Sequence, residues 1–187
     1  LALSEAVDGA GSDYDSVFAV ILGTGVGAGY SLNKKIIVGP NKLTGEWGQN
    51  PIPGPMDDYE KNVKRHCGRI GAIEVFLSGP GLENYYRYKT NSKKTSKEIV
   101  TLFNENNSHA LEVMDMYFER IARSFSTFVN ILDPDIIVCG GGMSEIDNIY
   151  DEIPKRIIPY IASNFFLTPI VKAKHGSSSG VRGAAHL

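Results

Sequence analysis

The chain has 187 residues, 42% hydrophobic and 21% charged, which supports one sizeable core or at most two small ones. A formal net charge of -2 lacks the basic excess of a phosphate-backbone binder, so no nucleic-acid partner is expected. The longest nearly apolar run, Val17 to Leu22, is far too short to span a bilayer, and no signal-like segment opens the chain, so no membrane partner and a cytoplasmic location are expected.

Leu1 to Val7 reads as the middle of a helix with neither initiator methionine nor N-cap, so the chain is expected to be a fragment. Ser16 to Leu22 is a near-continuous, partly β-branched apolar run, which suits a strand buried on both faces. Glycines follow from Gly23 to Gly29, and Tyr30 to Leu32 and Ile36 to Val38 read as two further strands of an antiparallel meander. Gly39 to Pro55 is a long Gly/Pro/Asn-rich connection, of a length compact domains reserve for function.

Helical texture then covers Gly71 to Leu77, Leu82 to Tyr88 and a segment opening at Thr95 or Ser96. Ala110, Met114, Tyr117, Ile121, Phe125, Phe128 and Leu132 recur at helical spacing and mark one long helix, which Asp133-Pro134 ends. Asp135 to Cys139 is a short buried strand, Ile146 to Phe165 is helical text interrupted by Pro154 and Pro159, and Ile170 to Ala173 is a last strand. Ser177 to Ser179 would cap a final helix from Gly180. The order β-β-β, helices, β-α-β-α defines an α/β chain.

Four clusters are candidates for chemistry. In Gly23-Thr24-Gly25-Val26-Gly27 the glycines fall at every second position and a strand follows, which excludes a dinucleotide fingerprint; no Gly-Lys-Ser/Thr phosphate loop is present either. A tight glycine turn with one hydroxyl suits main-chain approach to an anion, and equally an ordinary hairpin. Gly140-Gly141-Gly142 stands between a buried strand and a helix, where open α/β sheets bind ligands. In Thr44 to Pro51, Glu46 lies between glycines and beside the amides Gln49 and Asn50; this mixture suits a polyol, or simply a solvated loop. Arg65 to Glu74 holds Cys67 beside a lone His66, far short of four zinc ligands, and Glu74 reads also as a first-turn helix acid. Cys67 and Cys139 stand far apart, giving no disulfide framework and fitting a reducing compartment. His175 reads as structural or solvent-facing, and the basic stretch Arg87 to Lys97 as a solvated face.

The segments G-T-G-V-G-A-G, G-E-W-G-Q-N-P-I-P, C-G-R-I-G-A-I-E-V-F-L-S-G, N-I-L-D-P-D-I-I-V-C-G-G-G-M-S and K-A-K-H-G-S-S-S-G-V-R-G-A-A together resemble the ROK family of sugar kinases and repressors, most of all its bacterial fructokinase branch. The resemblance implies an actin-like, ribonuclease H-like ATPase lobe: a mixed sheet with helices on both faces and a helical insertion over residues 70–130. Residues 1–187 would form a single carboxy-terminal lobe that closes with an amino-terminal lobe over ATP, Mg2+ and a hexose. Fructose is the hexose that branch implies, and a homodimer is the implied assembly.

Carried over by position, Gly23, Thr24, Gly25 and Gly27 would hold the ATP phosphates, and Gly140, Gly141 and Gly142 would lie against the adenosine. Glu46, Gln49, Asn50 and Glu74 would face the sugar. The family's zinc ligands, a histidine and three cysteines, correspond here to Gln49, Arg65, Cys67 and Ala72, so no zinc is expected. The family's catalytic aspartate falls ahead of Leu1, which leaves no catalytic base in this chain. A sugar-responsive transcriptional regulator of the same family, or an inactive kinase relative, is the alternative.

Overall fold

The computed structural model describes residues 1–176 and 179–185. Strand β1 (Ser16–Leu22) pairs antiparallel with β2 (Val26–Leu32), which pairs with the short β3 (Lys35–Ile36). On its other edge β1 runs parallel to β4 (Ile136–Gly140), and β4 parallel to β5 (Ile170–Lys172). The sheet order is therefore β3-β2-β1-β4-β5, with the most apolar strand at its centre.

Both faces are covered, which is why β1 reads as an apolar run rather than an alternation. Val17, Ala19, Ile136 and Val138 pack on Ala2 and Ala6 of helix α1 (Ala2–Val7). Phe18, Val20, Leu22, Ile137 and Cys139 belong to the larger core beneath the helical layer. That layer comprises α2 (Glu74–Leu77), α3 (Gly79–Thr90), α4 (Ser96–Asn104), α5 (Ser108–Leu132) and α6 (Asn148–Arg156). Helix α7 (Ser179–Ala185) lies against α1. The architecture is the expected α/β one, a mixed sheet with helices on both faces.

The long helix α5 places Met114, Tyr117, Ile121, Phe125 and Phe128 in the core, and Phe128 stacks on Phe18 at 3.9 Å between ring centroids. Asn107 caps its start by accepting from His109 N and Ala110 N, and Asp133 in the left-handed region closes it before Pro134. Thr95 and Glu98 form a capping box at the head of α4.

Several boundaries differ from the sequence reading. Strand β2 begins at Val26, so Gly27 and Gly29 are strand residues, and Gly29 is needed because a Cβ there would lie 2.9 Å from that of Ala2. β3 ends at Ile36, leaving Val38 exposed. Helix α2 is a single turn, and α3 starts earlier than Leu82 because Ser78 caps it by accepting from Gly81 N. Pro154 does not interrupt α6: it lies two residues from the end, and burial of Ile149, Ile153 and Ile157 carries the helix through it. Helix ends at Arg156 rather than Phe165, apart from a 3-10 turn at Ile158–Tyr160. Of the serines expected to cap the last helix, Ser177 and Ser178 lie outside the described residues. Among the described residues no helix is long and apolar enough to cross a membrane.

Candidate functional site

β1 and β4 are parallel neighbours, with Ile21 opposite Gly140, so the turns that follow them emerge side by side. Gly23, Thr24 and Gly25 form the turn between β1 and β2, closed by Gly23 N donating to Gly25 O at 3.0 Å; Thr24 is exposed at its tip. Gly79 N, in the first turn of α3, donates to Gly23 O at 2.8 Å and fixes the turn to the helical layer. On the other strand Gly141 adopts φ +90°, and a Cβ there would lie 2.4 Å from Leu22 O, so the second turn presses on the first. By contrast a Cβ on Gly27 or on Gly142 would meet nothing within 4 Å. Packing therefore does not require glycine at those two positions, and both face open space beside the turns.

The segment carrying Glu46, Gln49 and Asn50 is fastened to β2. Gly45, at φ +92°, would bring a Cβ to 1.9 Å from Ala28 O, and one on Gly48 would lie 2.4 Å from Val26 O; Ala28 N donates to Gly45 O at 2.8 Å. Trp47 anchors the short 3-10 helix Glu46–Gln49 by packing edge-on against Phe125 and Phe128. Ile73 N donates to Asn50 O at 2.9 Å, and Pro51 bridges Ala72, which brings this segment to the residue before Glu74. Glu46 and Asn50 are exposed and Gln49 is half-buried, so all three are open to a ligand.

Glu74 joins that segment to the first glycine turn. Its Oε2 accepts from Val26 N at 3.2 Å and would lie 3.0 Å from a Cβ on Gly25. Its Oε1 accepts from Arg65 Nε at 3.0 Å, and this hydrogen bond raises the pKa of the guanidinium above its ordinary value. Thus the structure brings Gly23 to Gly27, Gly140 to Gly142, Glu46 to Asn50 and Glu74 to one edge of the sheet. The residues at the zinc-ligand positions do not fit a zinc ion. Arg65 is a cation paired with Glu74, Ala72 is a buried side chain with no donor atom, and Gln49 offers only a neutral amide. Cys67 is exposed; a hydrogen bond from the Arg69 backbone lowers its thiol pKa, partial desolvation opposes this, and the Arg65 side chain reinforces it.

Two groupings escaped the sequence reading. Glu60, fully buried, accepts from Arg120 Nε at 2.8 Å and Arg123 Nη1 at 3.0 Å, while Arg120 Nη2 also reaches Asp57 and stacks over the Tyr85 ring. This cluster ties the loop leading to Arg65 onto α5. The available signal was two arginines three positions apart within an apolar helix. The second grouping is at α1, where buried Glu5 accepts from Ala10 N, Lys174 N and His175 N, and Asp8 meets the His175 ring and Arg182. His175 is therefore structural in this lobe.

A mixed β3-β2-β1-β4-β5 sheet with two adjoining glycine turns over its carboxyl edge is the actin-like, ribonuclease H-like fold. The model of the ROK family matches residues 1–187, and the chain belongs to that family. The ROK hexokinase of Thermus thermophilus superposes with a TM-score of 0.86 at 22% identity, over 98% of this chain and 60% of that one. A ROK glucokinase of Streptomyces griseus, solved with glucose and AMPPNP, gives 0.85 at 22% identity over 99% and 64%. In sequence, the N-acetyl-D-glucosamine kinase of Vibrio atlanticus is 40% identical over 190 residues, covering 100% of this chain. The chain spans 63% of the length of that relative. This relative and those of Yersinia enterocolitica and Vibrio cholerae, 36% and 38% identical, are N-acetyl-D-glucosamine kinases, which lends no support to the fructokinase branch expected above.

Proposed function

We propose that this chain is the nucleotide- and sugar-binding lobe of an ATP-dependent sugar kinase. The observation that carries this reading is the convergence of two glycine turns and an acidic, amide-bearing edge on the ends of β1 and β4. Main-chain N–H groups at Thr24 and Gly25, in a turn that Gly23 N–H closes onto Gly25 O, together with the open faces of Gly27 and Gly142, suit an extended polyphosphate, for which a Cβ would be an obstruction. Glu46, Gln49, Asn50 and Glu74 supply the mixed acceptors and donors that a pyranose ring needs.

Phosphoryl transfer is mostly positioning and charge stabilisation, and this lobe supplies the positioning half. Magnesium would enter with the nucleotide and neutralise its phosphates. The base that accepts the hydroxyl proton, and a second phosphate turn, would come from an amino-terminal lobe that closes over this one. The 40% identity to an N-acetyl-D-glucosamine kinase makes that amino sugar the first substrate to test, ahead of fructose.

The test is ADP release by the full-length protein carrying this chain, with N-acetyl-D-glucosamine, fructose, glucose and mannose each supplied in turn. Turnover is expected with at least one of them and greatest with the amino sugar. Silence with every sugar would refute the kinase reading, and a preference for fructose would restore the fructokinase one.

A further inference from the structure

The loop before Glu74 is a small folded excursion. Lys64 bridges Ile70, Arg65 N donates to Arg69 O at 2.8 Å, and Gly68 at φ +86° turns the chain between them. Its root is held to α5 by the buried Glu60 cluster. The loop so placed delivers one side chain inward: Arg65, only 18% exposed, whose Nε meets Glu74 Oε1 at 3.0 Å.

Glu74 is the hinge of the arrangement. A carboxylate offers about four lone-pair sites. One on Oε2 is taken by Val26 N–H and one on Oε1 by Arg65 Nε–H, which leaves one on each oxygen for a ligand. The terminal torsion of a glutamate is broad and close to freely variable. With only the Val26 bond the carboxylate would still swing about that contact; with both bonds its plane is fixed. A planar, directional guanidinium can hold one oxygen in this way, whereas an ammonium acts as a point charge.

We propose that Arg65 is a positioning residue for the substrate site: it fixes the plane of the Glu74 carboxylate so that the remaining lone pairs meet the hydroxyls of the sugar. This rests on the sugar-kinase reading given above. It also assigns a role to a cation at a position where the donor set fits no zinc.

The experiment uses the full-length protein and the sugar on which the unmodified protein is most active, comparing Arg65→Ala, Arg65→Lys, Glu74→Ala and the Arg65→Ala/Glu74→Ala pair. Arg65→Ala is expected to raise the sugar KM about tenfold, the worth of one charge-assisted hydrogen bond, with the ATP KM unchanged and kcat falling less. Arg65→Lys should fall between, and the double variant should be no worse for sugar than Glu74→Ala alone, since Arg65 acts through Glu74. A sugar KM left at the unmodified value in Arg65→Ala, or additive losses in the double variant, would overturn the proposal. If Arg65→Ala does not fold, Arg65→Lys carries the same test, an unchanged sugar KM again overturning it. An unmodified protein without sugar turnover would instead remove the kinase reading, so the two failures are told apart by that control.

Discussion

Arg120 Nε and Glu60 Oε1 meet at 2.8 Å across sixty positions of sequence, both side chains withdrawn from solvent. Removing the carboxylate in Glu60→Ala leaves Arg123 buried without a counter-charge and Arg120 with only the more exposed Asp57. Unfolding free energy is expected to fall by about 3–5 kcal/mol. Urea denaturation of the variant checks this, and a loss below about 1 kcal/mol would mean that the cluster behaves as a surface pair.

The glycines in and beside the two turns divide into packed positions and open ones, and the open ones are those proposed to face a ligand. Gly141→Ala forces a side chain into φ +90° and against Leu22 O, and should cost about 1–3 kcal/mol in stability. Gly27→Ala meets open space within a strand and should leave stability unchanged or raised by about 0.5–1 kcal/mol. Its nucleotide affinity should nevertheless drop about tenfold in the full-length protein. Thermal melting together with nucleotide titration separates the two; full nucleotide affinity in Gly27→Ala would count against the phosphate role of that edge.

The two thiols should react very differently. Cys139 is fully buried, and desolvation pushes its pKa far above the ordinary thiol value. Cys67 is exposed, with its pKa lowered by the Arg69 backbone and by Arg65. Iodoacetamide is expected to label one cysteine in the folded protein and two after denaturation. The rate at Cys67 should reach its plateau at lower pH than for a model thiol, and Arg65→Ala should move that pH upward. Rapid labelling of Cys139 in the folded state would contradict the packing of β4.

Asp8 gives a pH dependence whose sign follows from its partners. Desolvation alone would raise its pKa, but hydrogen bonds from Arg182 and His175 outweigh it and hold the carboxyl below its ordinary value. A carboxyl depressed in the fold contributes stability above its unfolded pKa of about 3.9, and that contribution is lost as pH falls through the folded value. The acid limb of the stability profile should therefore flatten in Asp8→Asn, as read by circular dichroism during acid titration. An unchanged acid limb would show that the Asp8 contacts do not hold the carboxyl in solution.

Much of the frame could be read from the sequence because its signals are local. The run from Val17 to Leu22 is apolar on both faces since helices cover both, and α5 shows its stripe because it lies on the core. The start of α4 was marked at Thr95 or Ser96, and Thr95 proved to be its cap. β2 was legible only from Tyr30 onward, since Gly27 and Gly29 carry no strand signature and Gly29 answers instead to the approach of Ala2. The glycine clusters stood out as motifs, yet their division into packed and open positions depends on Leu22 O and on empty space, neither of which is sequential. Glu60 with Arg120, and Glu74 with Arg65 and Val26, pair residues from separate elements, and although Arg120 and Arg123 stand out in an apolar helix, a single chain does not show which carboxylate meets them.

The fastening of residues 44–50 to β2 and to Ile73 has a consequence for how a sugar would be captured. A contact edge carried on a free loop must be ordered when its ligand arrives, and that lost conformational freedom weakens binding. Here Gly45 and Gly48 sit flush on the backbone of Ala28 and Val26, and Trp47 is wedged between aromatic rings. The edge is ordered before any ligand comes. On the proposed reading, capture on this side would be lock-like, and a change of shape on sugar binding would fall to the proposed amino-terminal lobe.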